Sequence, residues 1–333
     1  MLCIDAATGD EIWTADETMR GARVHRKNTG VSSSPAYGEV DGSGRVVVIY
    51  ADAFRQIAVA YDTSGAEAWR ADLGPYKSQH GQGSSPVIDS GRVYIANDQD
   101  GDSSIFALDL STGEVLWQTP RKVSKAAYAT PRVTSIAGRE VLIVLSDAEG
   151  VAGLDPATGR MLFASGPQPE RVVASPVIIH GGDTADVIIS SGSGGTGKHM
   201  ECVTVSRDGD DWSTDVRWTR SKGLPYVPTA VVNDGILFLW NDNGTLACVD
   251  SADGSTVWIE RVGGKFSGSP LLAGGRLFAI SESGDVAVVN ATRTFKRHPG
   301  GRIADESEAT PVAAAGHLYL RGFASLSALP LSK

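Results

Sequence analysis

The sequence predicts an all-β fold: a propeller of four-stranded antiparallel sheets, or blades, set around an axis. Three observations predict it. First, "LCIDAATGDEIW" (2–13) returns as "FALDLSTGEVLW" (106–117), "AGLDPATGRMLF" (152–163) and "ACVDSADGSTVW" (247–258), with a shorter copy, "VAYDTSGAEAW" (59–69). In the four full copies the Asp and the closing aromatic lie eight residues apart: Asp5 and Trp13, Asp109 and Trp117, Asp155 and Phe163, Asp250 and Trp258. Second, a Ser/Thr-Pro followed by two short apolar runs opens each unit, at Pro35, Pro86, Pro131, Pro176, Pro270 and Pro311, with Ala230 in the fifth unit. Third, these seven positions are separated by 51, 45, 45, 54, 40 and 41 residues. A period of about 40–50 residues holding four short strands is a propeller pattern.

Each element has a local reason. Strand A starts at the Ser/Thr-Pro, where a missing N–H costs little. A Gly-containing turn, such as "DSG" or "NDG", leads into strand B. A polar loop leads to strand C, which carries the small-apolar-Asp stretch. The Asp side chain can cap the C–D turn, and the Gly that follows supplies φ > 0. Strand D ends on the aromatic residue. One such sheet cannot bury both faces, but stacked sheets can. Six complete blades are expected at roughly 33–70, 84–118, 129–164, 174–219, 228–259 and 268–297. A seventh has strands A to C at 310–333. The chain is read as a single propeller domain over 1–333, with N-terminal strands at 2–15 closing the ring against the C-terminal strands at 310–333. Residues 2–5 also resemble a strand C, so the parent is expected to have an upstream segment with a signal peptide and a first half-blade, with seven or eight blades in all.

The pattern A-x-D-x-x-T-G-x-x-x-W resembles the tryptophan-docking repeat of the PQQ-type (pyrroloquinoline quinone) β-propellers. The closest fits are "IDAATGDEIW" and "LDLSTGEVLW". Over nearly its whole length the chain is similar to the bacterial PQQ-binding-like β-propeller repeat proteins, which include the BamB-like outer-membrane assembly factors. The resemblance implies that Trp13, Trp69, Trp117, Trp218 and Trp258 pack against the neighbouring blade, with Phe163 and Phe295 as weaker substitutes. It also implies export to the periplasm or cell surface.

Composition narrows the function. The 333 residues are 41% hydrophobic and 21% charged, with a net charge of −9. That is globular composition. Its acidic balance argues against nucleic acid or an anionic membrane as a general partner. No apolar run reaches the length of a spanning helix, and "MLCIDAATGDEIW" has no basic n-region followed by an apolar h-region. Compartment is therefore unknown from the residues themselves. The chain is expected to act as a monomer.

"SGSGGTGKHM" (191–200) places Gly192, Gly197 and Lys198 at the offsets of a phosphate-binding G-x-x-x-x-G-K. A phosphate loop needs a helix next. Here the β-branched "MECVTVS" follows, and His199 stands where the motif has Ser/Thr. The segment is read as a glycine-rich B–C loop. Cys3, Cys202 and Cys248 share one register position, filled elsewhere by Ala60, Ala107 and Gly153, so they are expected to be packed core thiols. "NDQDGDSS" (97–104) and "SRDGDDWS" (206–213) are expected to be solvated hairpin turns. Asp98, Asp100 and Asp102 alternate as in a calcium loop, but Gly101 and Asp109 are wrongly placed for one.

In propellers the D–A and B–C loops gather at one end of the axis. Basic and aromatic residues concentrate in them here, and the candidate binding face is His25, Lys27, Asn28, Gln79, His80, Lys125, Tyr128, Arg171, Tyr226 and Lys265. Such a funnel suits a protein partner or a small anionic ligand. The expected function is a non-catalytic binding or scaffold propeller with no catalytic residues, no metal and no cofactor. The alternative is a PQQ-dependent quinoprotein dehydrogenase, disfavoured because the chain has no vicinal Cys pair and no coherent calcium ligands. A hydrolase using His80 with Asp98 lacks a supporting nucleophile–base spacing.

Overall fold

A computed structural model describes residues 1–17, 32–52, 54–193 and 197–331. The fold is the all-β, seven-bladed propeller that the repeats predict, and among the described residues every regular element is a strand. The chain divides into two compact units, Met1–Val172 and Val173–Lys333.

The first unit opens with a hairpin of Leu2–Ile4 and Glu11–Thr14. Three four-stranded blades follow, each in the order A-B-C-D. Blade 1 is Ala36–Val40, Ser43–Ala51, Gln56–Tyr61 and Glu67–Asp72. Blade 2 is Val87–Asp89, Arg92–Asn97, Ser103–Asp109 and Val115–Arg121. Blade 3 is Arg132–Ile136, Arg139–Ser146, Gly150–Leu154 and Met161–Ala164. In the second unit blade 4 is Val177–His180, Thr184–Ser191, His199–Asp208 and Asp211–Arg220. Blade 5 is Val231–Asn233, Ile236–Trp240, Thr245–Asp250 and Thr256–Arg261. Blade 6 is Leu271–Ala273, Arg276–Ile280, Asp285–Asn290 and Arg297–Arg302. Blade 7 has three strands, Val312–Ala314, His317–Arg321 and Leu326–Pro330.

The core is a series of layers between blades. Strands B and C are apolar on both faces, as sheets covered on both sides require. Because side chains alternate, Val47, Ile49, Ala58 and Ala60 of blade 1 pack on Val93, Ile95, Phe106 and Leu108 of blade 2. The intervening Val48, Tyr50, Ile57, Val59 and Tyr61 face the N-terminal hairpin through Met1, Trp13 and Ala15. That hairpin pairs Cys3 with Trp13, the C–D register in which Cys202 pairs with Trp218 and Cys248 with Trp258. It is the outer half of a blade, as residues 2–5 suggest.

The C–D turns form as the sequence predicts. Oδ1 of Asp5 accepts the N–H groups of Ala7 and Thr8, and Oδ1 of Asp109 accepts those of Ser111 and Thr112. The N–H of Thr8, then that of Ala7, holds the Asp5 carboxyl below its ordinary range. The following glycine has a second duty. A Cβ on Gly113 (φ +75°) would lie 2.5 Å from the ring of Trp69 in the preceding blade. That indole then donates its N–H to the Leu110 carbonyl at 2.8 Å. The same geometry recurs for Trp13 with Gly65 and the Thr63 carbonyl, Trp117 with Gly159 and Pro156, and Trp218 with Gly254 and Ser251. Trp258 donates to the Thr292 carbonyl.

Phe295 is an exception. It lies before strand D of blade 6, and the usual eight-residue spacing from Asn290 brings His298 to the register position opposite Val288. Phe295 packs edge-on to Trp258, with ring centroids 5.2 Å apart. The Ser/Thr that precedes each Pro also does more than open strand A. Its hydroxyl accepts the N–H of the equivalent residue one blade earlier: Ser34 to Ser85, Ser85 to Thr130, Ser175 to Thr229, Thr229 to Ser269 and Ser269 to Thr310, all at 2.9–3.1 Å.

The cysteines sit opposite the aromatic ring of strand D, which is why the position is small. Cys202 and Cys248 are buried, and burial pushes their thiols up to about 12 and about 11.

Candidate functional site

The D–A connections of the first unit meet at the loop end of blades 2 and 3. Tyr128 begins the approach to strand A of blade 3, and its N–H donates to the Val172 carbonyl. Its hydroxyl shares a hydrogen bond of 2.8 Å with Ser78. His80 stands edge-on to its ring, with centroids 6.1 Å apart, and the Arg171 guanidinium lies over the ring at 5.7 Å. A side chain on Gly83 would press on the Tyr128 ring, so the glycine of "HGQG" makes room for it. Burial raises the Tyr128 hydroxyl above its ordinary value, against the bond from Ser78 and the charge of Arg171.

The cations here are not equivalent. Lys125 is paired with Glu170 at 2.6 Å. Arg171 is half-buried, its Nε is enclosed without a hydrogen bond, and among the described residues its guanidinium has no acidic partner. Gln79 is exposed beside His80. The structure thus brings His80, Tyr128 and Arg171 together, with Lys125 beside them in a separate ion pair. His25, Lys27 and Asn28 lie outside the described residues. In the second unit Tyr226 donates its N–H to Asp242 at 2.7 Å, and Lys265 is exposed.

Sequence reasoning missed a buried cluster in the same loops. Asp98 is not part of a solvated turn: its carboxylate accepts from Arg121 at 3.3 Å, and both side chains are only 2% exposed. Arg121 also donates from Nε to Glu149 of blade 3 at 3.1 Å. Asp147 receives the N–H and hydroxyl of Ser124, and Asp100 receives the N–H of Ala126. Burial pushes the Asp98 carboxyl up to about 6, against the pull of Arg121. The bonded partner of Asp98 is therefore Arg121 rather than His80. Strand D ends in Arg in blades 2, 4, 5 and 6 alike, so no local signal marked Arg121 as the buried one. The turn at 206–213, by contrast, is an exposed hairpin joined by the Ser206 and Ser213 hydroxyls.

The described ends of the glycine-rich segment leave strand B at Ser191 and enter strand C at His199, the B–C position predicted. Lys198 runs directly into strand C of blade 4, and its ammonium binds the Leu224 carbonyl and the Asp242 carboxylate. Among the described residues no three His, Cys, Asp or Glu side chains converge as a metal site, and no helix is long and apolar enough to cross a membrane.

Comparison with known proteins follows the same outline. A relative from Burkholderia pseudomallei (strain K96243), outer membrane protein assembly factor BamB, is 28% identical over 194 residues, covering 55% of this chain and 45% of that protein. The quinoprotein ethanol dehydrogenase of Pseudomonas aeruginosa is 30% identical over 136 residues, 38% of this chain and 21% of the enzyme. The chain thus spans less than half the length of either curated relative. The crystal structure of BamB from Moraxella catarrhalis superposes with a TM-score of 0.63 over 88% of this chain and 82% of that one, at 14% identity, a likeness of fold. The family model described as outer membrane protein assembly factor BamB matches residues 2–226 and 203–316, and the chain belongs to that family.

Proposed function

We propose that this chain is a non-catalytic recognition propeller of the bacterial cell envelope, acting as a monomer that holds a protein partner on its loops. The observation that carries this reading is Arg171. Its guanidinium is half-buried, backed by the Tyr128 ring and in no ion pair with a described carboxylate, the adjacent Glu170 being taken by Lys125. A planar guanidinium in that setting takes a carboxylate through two parallel hydrogen bonds. Partial burial makes such a pair worth more than one in open solvent. The partner is therefore expected to present Asp or Glu, with His80 and Tyr128 supplying flat surface beside it. The indole contacts between blades support the docking role that the repeat implies. They hold the loops at fixed spacing, so little ordering entropy is lost on binding. Gln79 of the first unit is proposed as a further contact, and in the second unit Tyr226 and Lys265 are proposed as separate contacts.

The likeness to a quinoprotein dehydrogenase raises a second reading, but the donor set does not fit it. The three cysteines occupy strand-C positions opposite aromatic residues in separate sheets, and no described carboxylates converge to hold calcium.

The test is affinity capture with chemical cross-linking from envelope extract, comparing the unaltered chain with Arg171→Glu and Arg171→Lys. The expected result is a partner retained by the unaltered chain, weakened by Arg171→Lys and lost with Arg171→Glu at an unchanged melting temperature. Equal retention by all three forms overturns the assignment of Arg171. Capture of no partner by any form overturns the recognition reading.

A further inference from the structure

The second unit holds a cavity of about 310 Å³ between the B–C loop of blade 4, the connection to blade 5 and the B–C turn of blade 5. Its size is at the low end of ligand clefts, about 300 Å³ upward, which suits one ring-sized ligand rather than a chain of them. Lys198, Ser221, Asn243 and Thr245 contribute polar groups, and Gly197 and Gly223 leave backbone at its wall.

The charges in this cavity are already matched. The Lys198 ammonium donates to the Leu224 carbonyl at 3.0 Å and to Oδ2 of Asp242 at 3.3 Å. The Asp242 carboxylate also accepts the N–H groups of Tyr226 and Val227, at 2.7 and 3.1 Å. The pair is thus a fixed part of the wall, one cation to one anion. An anionic ligand gains no uncompensated positive charge here and meets the Asp242 carboxylate as well. Hydrogen-bonding capacity, in contrast, is left over. Among the described residues the hydroxyls of Ser221 and Thr245 and the amide nitrogen of Asn243 make no hydrogen bond, and the Lys198 ammonium has a third hydrogen to give. Oδ1 of Asn243 is used to hold the turn, accepting the Thr245 N–H. The Lys198 stem is itself positioned: a Cβ on Gly192 would lie 3.2 Å from the Tyr226 ring and 3.3 Å from Cγ of Lys198.

A wall with paired charge and several groups able both to give and to take a hydrogen suits a ligand with the same character. We propose that this cavity binds a neutral, hydroxyl-rich ligand, a single sugar ring, through Ser221, Asn243, Thr245 and the spare hydrogen of Lys198. A sugar hydroxyl donates and accepts at once, so it satisfies such a wall without changing its charge. This site does not rest on the protein-recognition reading, since Arg171 belongs to the other unit.

Isothermal titration with glucose and with N-acetylglucosamine, against inorganic phosphate as the anionic control, tests the assignment. The comparison variant is Ser221→Ala/Thr245→Val, which removes two hydroxyls that make no internal hydrogen bond and should therefore keep its melting temperature. The expected result is saturable binding of at least one of the two sugars in the millimolar range, at least about tenfold weaker in the variant, and no saturable heat with phosphate. Saturable phosphate binding without sugar binding overturns the neutral-ligand assignment. No binding of either sugar, or equal sugar affinity in both forms, overturns the site.

Discussion

Two arginines in the first unit, fifty residues apart, are used in opposite ways. Arg121 closes strand D of blade 2 and is sealed between Asp98 and Glu149, with 2% of its side chain exposed. Arg171 closes the loop after blade 3, lies over Tyr128 and has no acidic partner among the described residues. The first is consumed by the fold. The second is left outside the fold's ion pairs. A count of basic residues in the loops cannot separate them; the number of carboxylates within reach does.

The largest expected effect breaks the first half of that comparison. Arg121→Met leaves Asp98 and Glu149 facing each other without a cation, and removing one partner of a buried ion pair costs about 3–5 kcal/mol. Chemical denaturation at neutral pH measures it. Next is pH. The Asp98 carboxyl is raised from 3.8 to about 6 by burial, with Arg121 opposing and Glu149 and Asp147 adding to the rise. Between those values the folded chain keeps a proton that the unfolded chain has released, so stability from this group falls as pH rises from about 4 to about 6 and is flat above. At about 1.4 kcal/mol per pKa unit the change is on the order of 3 kcal/mol. The stability difference between the unaltered chain and Asp98→Asn, followed across that window, isolates it. A difference that rises with pH shows that Arg121, not burial, governs the site.

An uncharged contact sharpens the scale. Thr229→Val keeps the shape but leaves the Ser175 N–H without its acceptor, at a cost of about 1–3 kcal/mol, while Thr229→Ser should restore most of the stability in the same denaturation experiment. The smallest effect belongs to Arg171→Met, expected within about 0.5 kcal/mol because no ion pair is lost. A loss as large as that of Arg121→Met means Arg171 is structural too, and the contrast collapses.

Most of the fold is legible in the chain because the turn chemistry repeats. Asp109, Gly113 and Trp117 each have one local reason to be where they are, and the spacing carries over from blade to blade. Phe295 shows the limit: the eight-residue spacing from Asn290 falls on His298, and aromatic character alone pointed to the wrong residue. The relay of Ser and Thr hydroxyls was visible but unread. Where proline gives way to Ala230, Thr229 remains, which marks the hydroxyl as the constant feature. The site was less legible because its pairings are distant in sequence. Asp98 and Arg121 are 23 residues apart, and Tyr128 meets Ser78 across 50. No local pattern encodes either. The Gly197-Lys198 step was read as part of a glycine-rich loop, and the cavity it lines was not legible, since only the folded chain brings Asp242 to Lys198.

The indoles lend the molecule an optical property. Trp13, Trp69, Trp117, Trp218 and Trp258 each donate to a carbonyl of the next sheet, so each fluorophore straddles a different seam. Opening one seam exchanges a carbonyl acceptor for water around one ring and shifts its emission to the red. With the other tryptophans replaced by phenylalanine, a single remaining indole becomes a gauge for its own seam. Five such proteins would record the order in which the seams part.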